Sequence, residues 1–246
     1  MRPRIVLCFP NEERHRRKIA ETAPWADVVD VPQERIAEEL LNADIFCGHA
    51  KVPVDWDAVV RRGRLRWIQS SAAGMDHCLV PSVIESEIIV TSASGLLADQ
   101  VAEHTVALVT AWLRSLPVFL RAQEKQEFIR RPTRDLHRST ILIVGFGGVG
   151  RRLAQILHTF KTTLWAVDLF PVDCPPYVKQ LVPSENLLSL LPGADIVILS
   201  LPLNDQTRGM FNRQLFAQMK RGSLLVNVAR GPIVVTDHLI EAIQSG

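Results

Sequence analysis

The sequence predicts an α/β fold built from two parallel-sheet domains. Three observations predict it. Short apolar runs rich in Val, Ile and Leu alternate with helix-like segments along nearly the whole chain, the pattern of βα units feeding a parallel sheet. The stretch from Ser139 to Asp168 compresses a strand, a glycine turn, a helix and a second strand into thirty residues. A long helical segment, Leu96 to Leu116, hinges a first βα series, residues 4–92, to a second one.

Composition narrows the class further. With 246 residues, 47% of them hydrophobic, the chain can bury one large core or two modest ones. A formal net charge of +2 gives no electrostatic reason to expect nucleic acid or an anionic membrane as a partner. Cys8, Cys47, Cys78 and Cys174 show neither C-x-x-C pairs nor metal-ligand spacing. No metal is therefore expected, and reduced thiols in a cytoplasmic protein are. The apolar run in MRPRIVLCFP is cut off by charged residues, too brief for a signal peptide. No apolar run approaches the roughly 18 residues of a membrane span.

The first series reads in order as follows. Ile5 to Phe9 is a strand, Asn11 to Thr22 a polar helix with Asn11 placed to cap it, and Val28 to Val31 a strand. Gln33 to Leu41 is a helix, Ala43 to Cys47 a strand, Asp55 to Arg61 a helix and Leu65 to Gln69 a strand. The small-residue loop Ser70 to Asp76 follows that strand, where ligands bind in open α/β sheets, and it suits a ligand loop or an ordinary turn equally. Ile88 to Val90 closes the series. In the Leu96–Leu116 helix, Leu97, Val101, Thr105, Leu108 and Trp112 recur at helical spacing as a broad apolar face, with Pro117 ending or kinking it. Phe119 to Arg138 mixes acids with bases and reads as a solvated helix and loop.

In the central unit, Ile141 to Val144 has the composition of a buried parallel strand. Gly145-Phe146-Gly147-Gly148-Val149-Gly150 fits G-x-G-x-x-G, Arg152 to Phe160 is helix-like, and Leu164 to Val167 is a strand closed by Asp168. Gly145 permits the tight turn, Gly147 lets backbone approach a pyrophosphate, and Gly150 lets the helix pack on the strand. The helix N-terminus offers N–H groups and a positive dipole end to phosphates. Asp168, eighteen residues after Gly150, can accept hydrogen bonds from a ribose diol. A glycine turn alone also fits a purely structural role; the βαβ setting and the acid point to a dinucleotide. Leu169, Phe170 and Pro171 bring no arginine for a 2′-phosphate, so NAD is favoured over NADP. Beyond this unit lie a helix begun by Ser184 with a capping-box pattern, a strand Asp195 to Leu201 ended by Pro202, and an amphipathic segment Asn212 to Met219. A strand Leu224 to Val228 and a final helix Thr236 to Ser245 follow, with Gly246 as C-cap.

The motifs GFGGVG, SLPLNDQTRGMF and LLVNVARGP, preceded by WIQSSAAGMDH and ADQVAEHTVAL, resemble those of the D-isomer-specific 2-hydroxyacid dehydrogenase family over nearly the whole chain. The resemblance implies two Rossmann-like, flavodoxin-like parallel-sheet domains. A substrate domain occupies 1–95, and an NAD-binding domain occupies 96–246, inserted after it and lacking its last strand. It implies NAD(H)-dependent interconversion of a 2-oxo acid and a D-2-hydroxy acid. Arg230 matches the arginine that holds the substrate carboxylate and carbonyl, although a strand-end arginine also reads as merely solvated. Ala73 and Gly74 match the loop whose N–H groups receive the carboxylate. Gly148 and Val149 match the pyrophosphate contact, Leu201 and Pro202 line the cofactor cleft, and Val228 and Ala229 pass beneath the nicotinamide. Lys51, near another substrate-facing loop, reads as solvated.

One departure stands out. The family's acid/base pair, a histidine held by a glutamate, lies beyond the segment equivalent to Gly246. His49 and His77 are the nearest substitutes; His104, His158 and His238 have no suitable setting. Two functions follow: an NAD-dependent dehydrogenase whose chain as given lacks that pair, or an NAD(H)-binding scaffold without turnover, a role some family members play. A homodimer through the 96–116 helix is also expected. Which 2-oxo acid is used is left open among glyoxylate, hydroxypyruvate, branched acids and 3-phosphoglycerate.

Overall fold

The computed structural model describes residues 2–246. The chain forms two compact units, one running to Leu96 and the other from Leu97 to Gly246.

The first unit holds strands β1 (Arg4–Cys8), β2 (Asp27–Asp30), β3 (Ile45–Gly48), β4 (Trp67–Ser70) and β5 (Ile89–Thr91), all parallel, in the order β2-β1-β3-β4-β5. Its helices are α1 (Glu13–Thr22), α2 (Ile36–Glu39), α3 (Trp56–Arg62) and α4 (Pro81–Ile84). Successive side chains of β1 enter opposite layers. Val6 and Cys8 join the cluster around Phe46 and Ile68, and Ile5 and Leu7 the one around Ala23 and Ala26. Burial on both faces is why the strand reads as an unbroken apolar run.

Several expectations need correction here. α1 is capped by Glu12, which forms a reciprocal capping box with His15, while the Asn11 amide donates instead to the Phe9 carbonyl at 2.8 Å. The expected Gln33–Leu41 helix is a single α-turn, α2, flanked by 3-10 turns at Gln33–Arg35 and Leu40–Asn42. Asp55 caps α3 through the Ala58 N–H at 2.9 Å. α4, begun by Pro81 at its first turn, was not expected.

The second unit opens with α5 (Ala98–Leu113) and α6 (Leu116–Glu124). The expected single helix is thus two, bent by 67° at a left-handed Ser115 with φ 55°. Pro117 starts α6 rather than ending α5, because a proline in a first helical turn forfeits no hydrogen bond. The apolar face follows expectation at Thr105 and differs from it elsewhere. Ala102, Thr105, Val109 and Leu113 are the buried residues of α5, whereas Leu97, Leu108 and Trp112 are exposed. Among the described residues no single helix is long and apolar enough to cross a membrane.

The second sheet comprises β6 (Thr140–Val144), β7 (Thr163–Asp168), β8 (Gln180–Pro183), β9 (Ile196–Leu199) and β10 (Leu224–Asn227), parallel, in the order β10-β9-β6-β7-β8. α7 (Gly148–His158) connects β6 to β7, α8 (Leu187–Leu190) precedes β9, α9 (Arg213–Gln218) precedes β10, and α10 (Thr236–Ser245) follows. Ile141 and Ile143 face a cluster with Ala102, Val109, Leu153 and Leu157; Leu142 and Val144 face Val197, Leu199 and Phe211. The edge strand β8 was not expected, being half-buried and ending in Pro183. The Ser184 capping box is absent: Ser184 begins a 3-10 turn and makes no cap bond.

Candidate dinucleotide site

The order β10-β9-β6-β7-β8 reverses direction between β6 and β9, and the chain crosses outward on both sides of that point. In open α/β sheets the crevice beyond the carboxyl ends of such strands receives ligands.

The residues there fit a dinucleotide closely. Gly145 sits at φ +93°, a left-handed value that favours glycine, and a Cβ on it would meet the Leu201 backbone nitrogen at 2.8 Å. Its N–H donates to the Val167 carbonyl at 2.9 Å, and its carbonyl accepts the Ser200 hydroxyl at 2.7 Å. The turn is therefore locked to β7 on one side and to the end of β9 on the other. A Cβ on Gly150 would lie 2.2 Å from the Gly145 carbonyl oxygen, so α7 leans on the turn at a distance only glycine allows. Gly147, the N-cap, has nothing within 4 Å of where a Cβ would be. That open space lies before the first turn of α7, whose N–H groups have no partner within the helix.

Asp168 closes β7 at the same end of the sheet. Its Oδ2 accepts the Phe146 N–H at 2.6 Å and its Oδ1 the Phe170 N–H at 3.0 Å. Two backbone donors thus aim the carboxylate and leave lone pairs for further acceptance.

The neighbouring strand ends carry the other predicted residues of this unit. Leu201 is half-buried and Pro202 exposed, on a loop closed by the Thr207 hydroxyl donating to the Pro202 carbonyl at 2.7 Å. After β10, Asn227 pins the next three residues: its Oδ1 accepts the Ala229 N–H at 3.0 Å and its Nδ2 donates to the Arg230 carbonyl at 2.9 Å. Val228 and Ala229 are half-buried within that loop and the Arg230 side chain is exposed. Gly145, Gly147, Gly148, Val149, Gly150, Asp168, Leu201, Pro202, Val228, Ala229 and Arg230 thus all lie at the carboxyl end of one sheet. Asn227, Ser200 and Thr207 were assigned no role from sequence. An Asn two residues before a loop N–H is a local signal that could have found the first; the Ser200 bond is non-local.

In the first unit, Ala73 is exposed and Gly74 half-buried in the loop after β4. Ser70 braces that loop, its Oγ accepting the Ala72 N–H at 3.1 Å, while the Ala73 and Gly74 N–H groups donate to nothing among the described residues. His49 and His77 stack on each other at 3.9 Å between ring centroids. A cavity of about 440 Å³ at the ends of β1, β2 and β3 is lined by Asp30, Gln33, His49 and Lys51 among others. Gln33 holds its rim, donating to the His49 carbonyl at 2.8 Å and accepting the Lys51 N–H at 2.7 Å. No group of His, Cys, Asp or Glu suited to a metal occurs among the described residues.

A parallel sheet of this order, with a glycine turn and helix N-terminus after one strand and an anchored acid after the next, defines a dinucleotide-binding α/β protein. Residues 106–246 match the D-isomer specific 2-hydroxyacid dehydrogenase, NAD binding domain, and the chain belongs to that family. It is 27% identical over 227 residues to the D-3-phosphoglycerate dehydrogenase of Bacillus subtilis, covering 90% of this chain and 43% of that protein. It is 31% identical over 196 residues to the mitochondrial formate dehydrogenase 2 of Oryza sativa subsp. japonica, covering 77% of this chain and 52% of that one. The chain spans about half the length of these relatives. The solved D-lactate dehydrogenase from Aquifex aeolicus, complexed with NAD and lactic acid, superposes with a TM-score of 0.78 at 25% identity, covering 98% of this chain and 74% of that one.

Proposed function

We propose that this protein is an NAD(H)-dependent oxidoreductase interconverting a small 2-oxo acid and the corresponding D-2-hydroxy acid. The observation that carries the reading is Arg230, an exposed guanidinium on a loop that Asn227 pins twice, in the same sheet whose β6–α7 turn suits a dinucleotide. A planar guanidinium takes a carboxylate and the adjacent carbonyl oxygen together and withdraws electron density from the carbonyl. When bound, the nicotinamide cofactor supplies the hydride. In this reading the α7 N-terminus receives the pyrophosphate, Asp168 holds the ribose diol, Leu201 and Pro202 line the cleft, and Val228 and Ala229 form the floor under the ring. Residues 1–95 act as the substrate domain, with the Ala73 and Gly74 N–H groups receiving the carboxylate. The proton is assigned by family resemblance to a histidine and glutamate beyond the segment equivalent to Gly246.

A homodimer and a reducing, cytoplasmic setting belong to the same reading. The exposed Leu97, Leu108, Trp112, Leu116 and Leu120 support the first, and four free cysteines support the second. Sedimentation as a monomer at micromolar concentration removes the dimer.

A second reading, an NAD(H)-binding scaffold without turnover, is favoured by how two second-unit histidines are engaged. His238 Nδ1 accepts the Arg213 N–H at 3.2 Å, and the His158 ring lies 5.1 Å from that of Tyr177. The deciding test is NADH oxidation with glyoxylate, hydroxypyruvate and a branched 2-oxo acid, using the 246-residue chain and the full translated product of its gene. Turnover by either supports the dehydrogenase. NADH binding without turnover by both leaves the scaffold.

A further inference from the structure

Arg151 follows the last glycine of the turn and lies in the first turn of α7, where a cation opposes the helix dipole and no acid offsets it. Its side chain is nonetheless engaged at both arms of the guanidinium and over its face. Nη1 donates to the Asp173 carbonyl at 2.9 Å and Nη2 to the Val172 carbonyl at 2.6 Å, while the guanidinium carbon lies 4.9 Å from the centroid of the Phe146 ring. Phe146 is itself a buried residue of the glycine turn, and its N–H is the donor to Asp168.

The segment gripped by Arg151 has little else to hold it. Leu169, Phe170 and Val172 are exposed apolar residues, and Asp173 is left-handed at φ 52°. The same segment supplies the second donor to Asp168, the Phe170 N–H. One arginine therefore ties together the ring beside the glycine turn and the loop that orients the acid.

We propose that Arg151 is a positioning residue for the adenosine end of the nucleotide: by holding the Val172 and Asp173 carbonyls it fixes the 169–173 segment and, through it, the Asp168 carboxylate. The inference rests on the reading that this chain binds NAD(H). It differs from a role as a phosphate ligand, because each arm of the fork already donates to a backbone carbonyl of the 169–173 segment.

The test is calorimetric titration with ADP-ribose, NADH and NADPH of the wild type, Arg151→Ala, Arg151→Lys, Asp168→Ala and the double variant Arg151→Ala/Asp168→Ala. Arg151→Ala is expected to weaken ADP-ribose and NADH by the same factor, about tenfold, and Arg151→Lys by less, since an ammonium can still reach one carbonyl. In the Asp168→Ala background the Arg151→Ala loss is expected to vanish, which a merely structural arginine would not produce. An equal loss in both backgrounds overturns the proposal, as does a loss confined to NADPH, which would make Arg151 a 2′-phosphate ligand. If the wild type binds NADH but Arg151→Ala binds it equally well, only this inference falls. If the wild type binds no ADP-ribose, the nucleotide reading falls with it.

Discussion

A Cβ placed on Gly150 would stand 2.2 Å from the carbonyl oxygen of Gly145, five residues earlier in the same turn. The obstacle is backbone, locked in place by the bonds from Gly145 to Val167 and Ser200, so it cannot swing aside as a side chain would. Gly147 is the opposite case, with its would-be Cβ in open space and its backbone at φ −77°, which any residue adopts. The two glycines therefore separate folding from binding. Gly150→Ala is expected to destabilise the protein by about 3 kcal/mol. Gly147→Ala should cost at most about 1 kcal/mol as a poorer N-cap, yet weaken NADH at least about tenfold by filling the space before the α7 N-terminus. Urea unfolding and NADH titration of both variants check this. Equal loss of stability in the two would refute it.

The loop after β10 offers a second separation. Arg230 presents the guanidinium, but Asn227 sets where it stands, through its bonds to Ala229 and Arg230. Arg230→Lys keeps the charge and loses the planar fork. It should leave NADH affinity unchanged and lower kcat/KM for a 2-oxo acid by about 10²-fold or more. Asn227→Ala should lower kcat/KM in the same direction without changing the charge, and also cost about 1–2 kcal/mol of stability for the amide bonds lost. Steady-state kinetics on an active form of the protein decide. An unchanged kcat/KM for Arg230→Lys would dismiss Arg230 from substrate binding.

Much of this arrangement was legible because its signals are contiguous. The β6 run, the glycine spacing and Asp168 are consecutive pieces of one βαβ unit, and a strand buried on both faces announces itself by unbroken Ile, Leu and Val. Signals that depend on distant partners were not legible. Nothing near Asp168 says that it takes the Phe146 N–H, and nothing near Ser200 says that its hydroxyl holds Gly145. The α5 error has a physical origin as well. The periodic large residues Leu108 and Trp112 look like a core stripe, but α5 enters the cluster with α7 through Ala102, Val109 and Leu113, and of the expected stripe Thr105 alone is fully buried. Periodicity alone cannot tell which of two adjacent stripes a neighbour will cover.

The four thiols should differ sharply in reactivity. Burial pushes the Cys47 and Cys78 thiols up to about 11, so that roughly 0.1% of each is thiolate at pH 8. Burial, followed by the charges of Asp30 and Glu34, also raises Cys8. Cys174 is exposed. Ellman's reagent at pH 8 should therefore react with one thiol in a fast phase, absent in Cys174→Ser, with the remainder following only as the protein opens. A fast phase of two or more equivalents would contradict the burial of Cys8 and Cys78 and the raised thiol of half-buried Cys47.

Asp195 makes stability depend on pH. It stands just before β9, where its Oδ2 accepts the Thr140 N–H at 2.8 Å and its Oδ1 the Lys220 ammonium at 2.6 Å, stitching the start of β9 to that of β6. Partial burial pushes the carboxyl up, but the hydrogen bond from Lys220, the Thr140 N–H and the nearby positive charges outweigh it and hold the group below its ordinary value of 3.8. A carboxyl whose folded value lies below its unfolded one contributes stability that is fully present above the unfolded value and lost as pH falls through the folded value. Asp195→Asn should accordingly cost about 1–2 kcal/mol near pH 7, where the ion pair and charged hydrogen bond are intact. Thr140 can still find an acceptor in the amide, so the loss should fall mainly on the Lys220 contact, and Lys220→Met should be nearly neutral in the Asp195→Asn background. As the pH drops below about 4 the wild type should lose its advantage and the two unfolding midpoints converge. Urea midpoints measured from pH 7 to pH 3 for the four proteins of this cycle test both parts. A gap between wild type and Asp195→Asn that persists unchanged to pH 3 would show that the carboxylate's charge contributes nothing to joining the two strands.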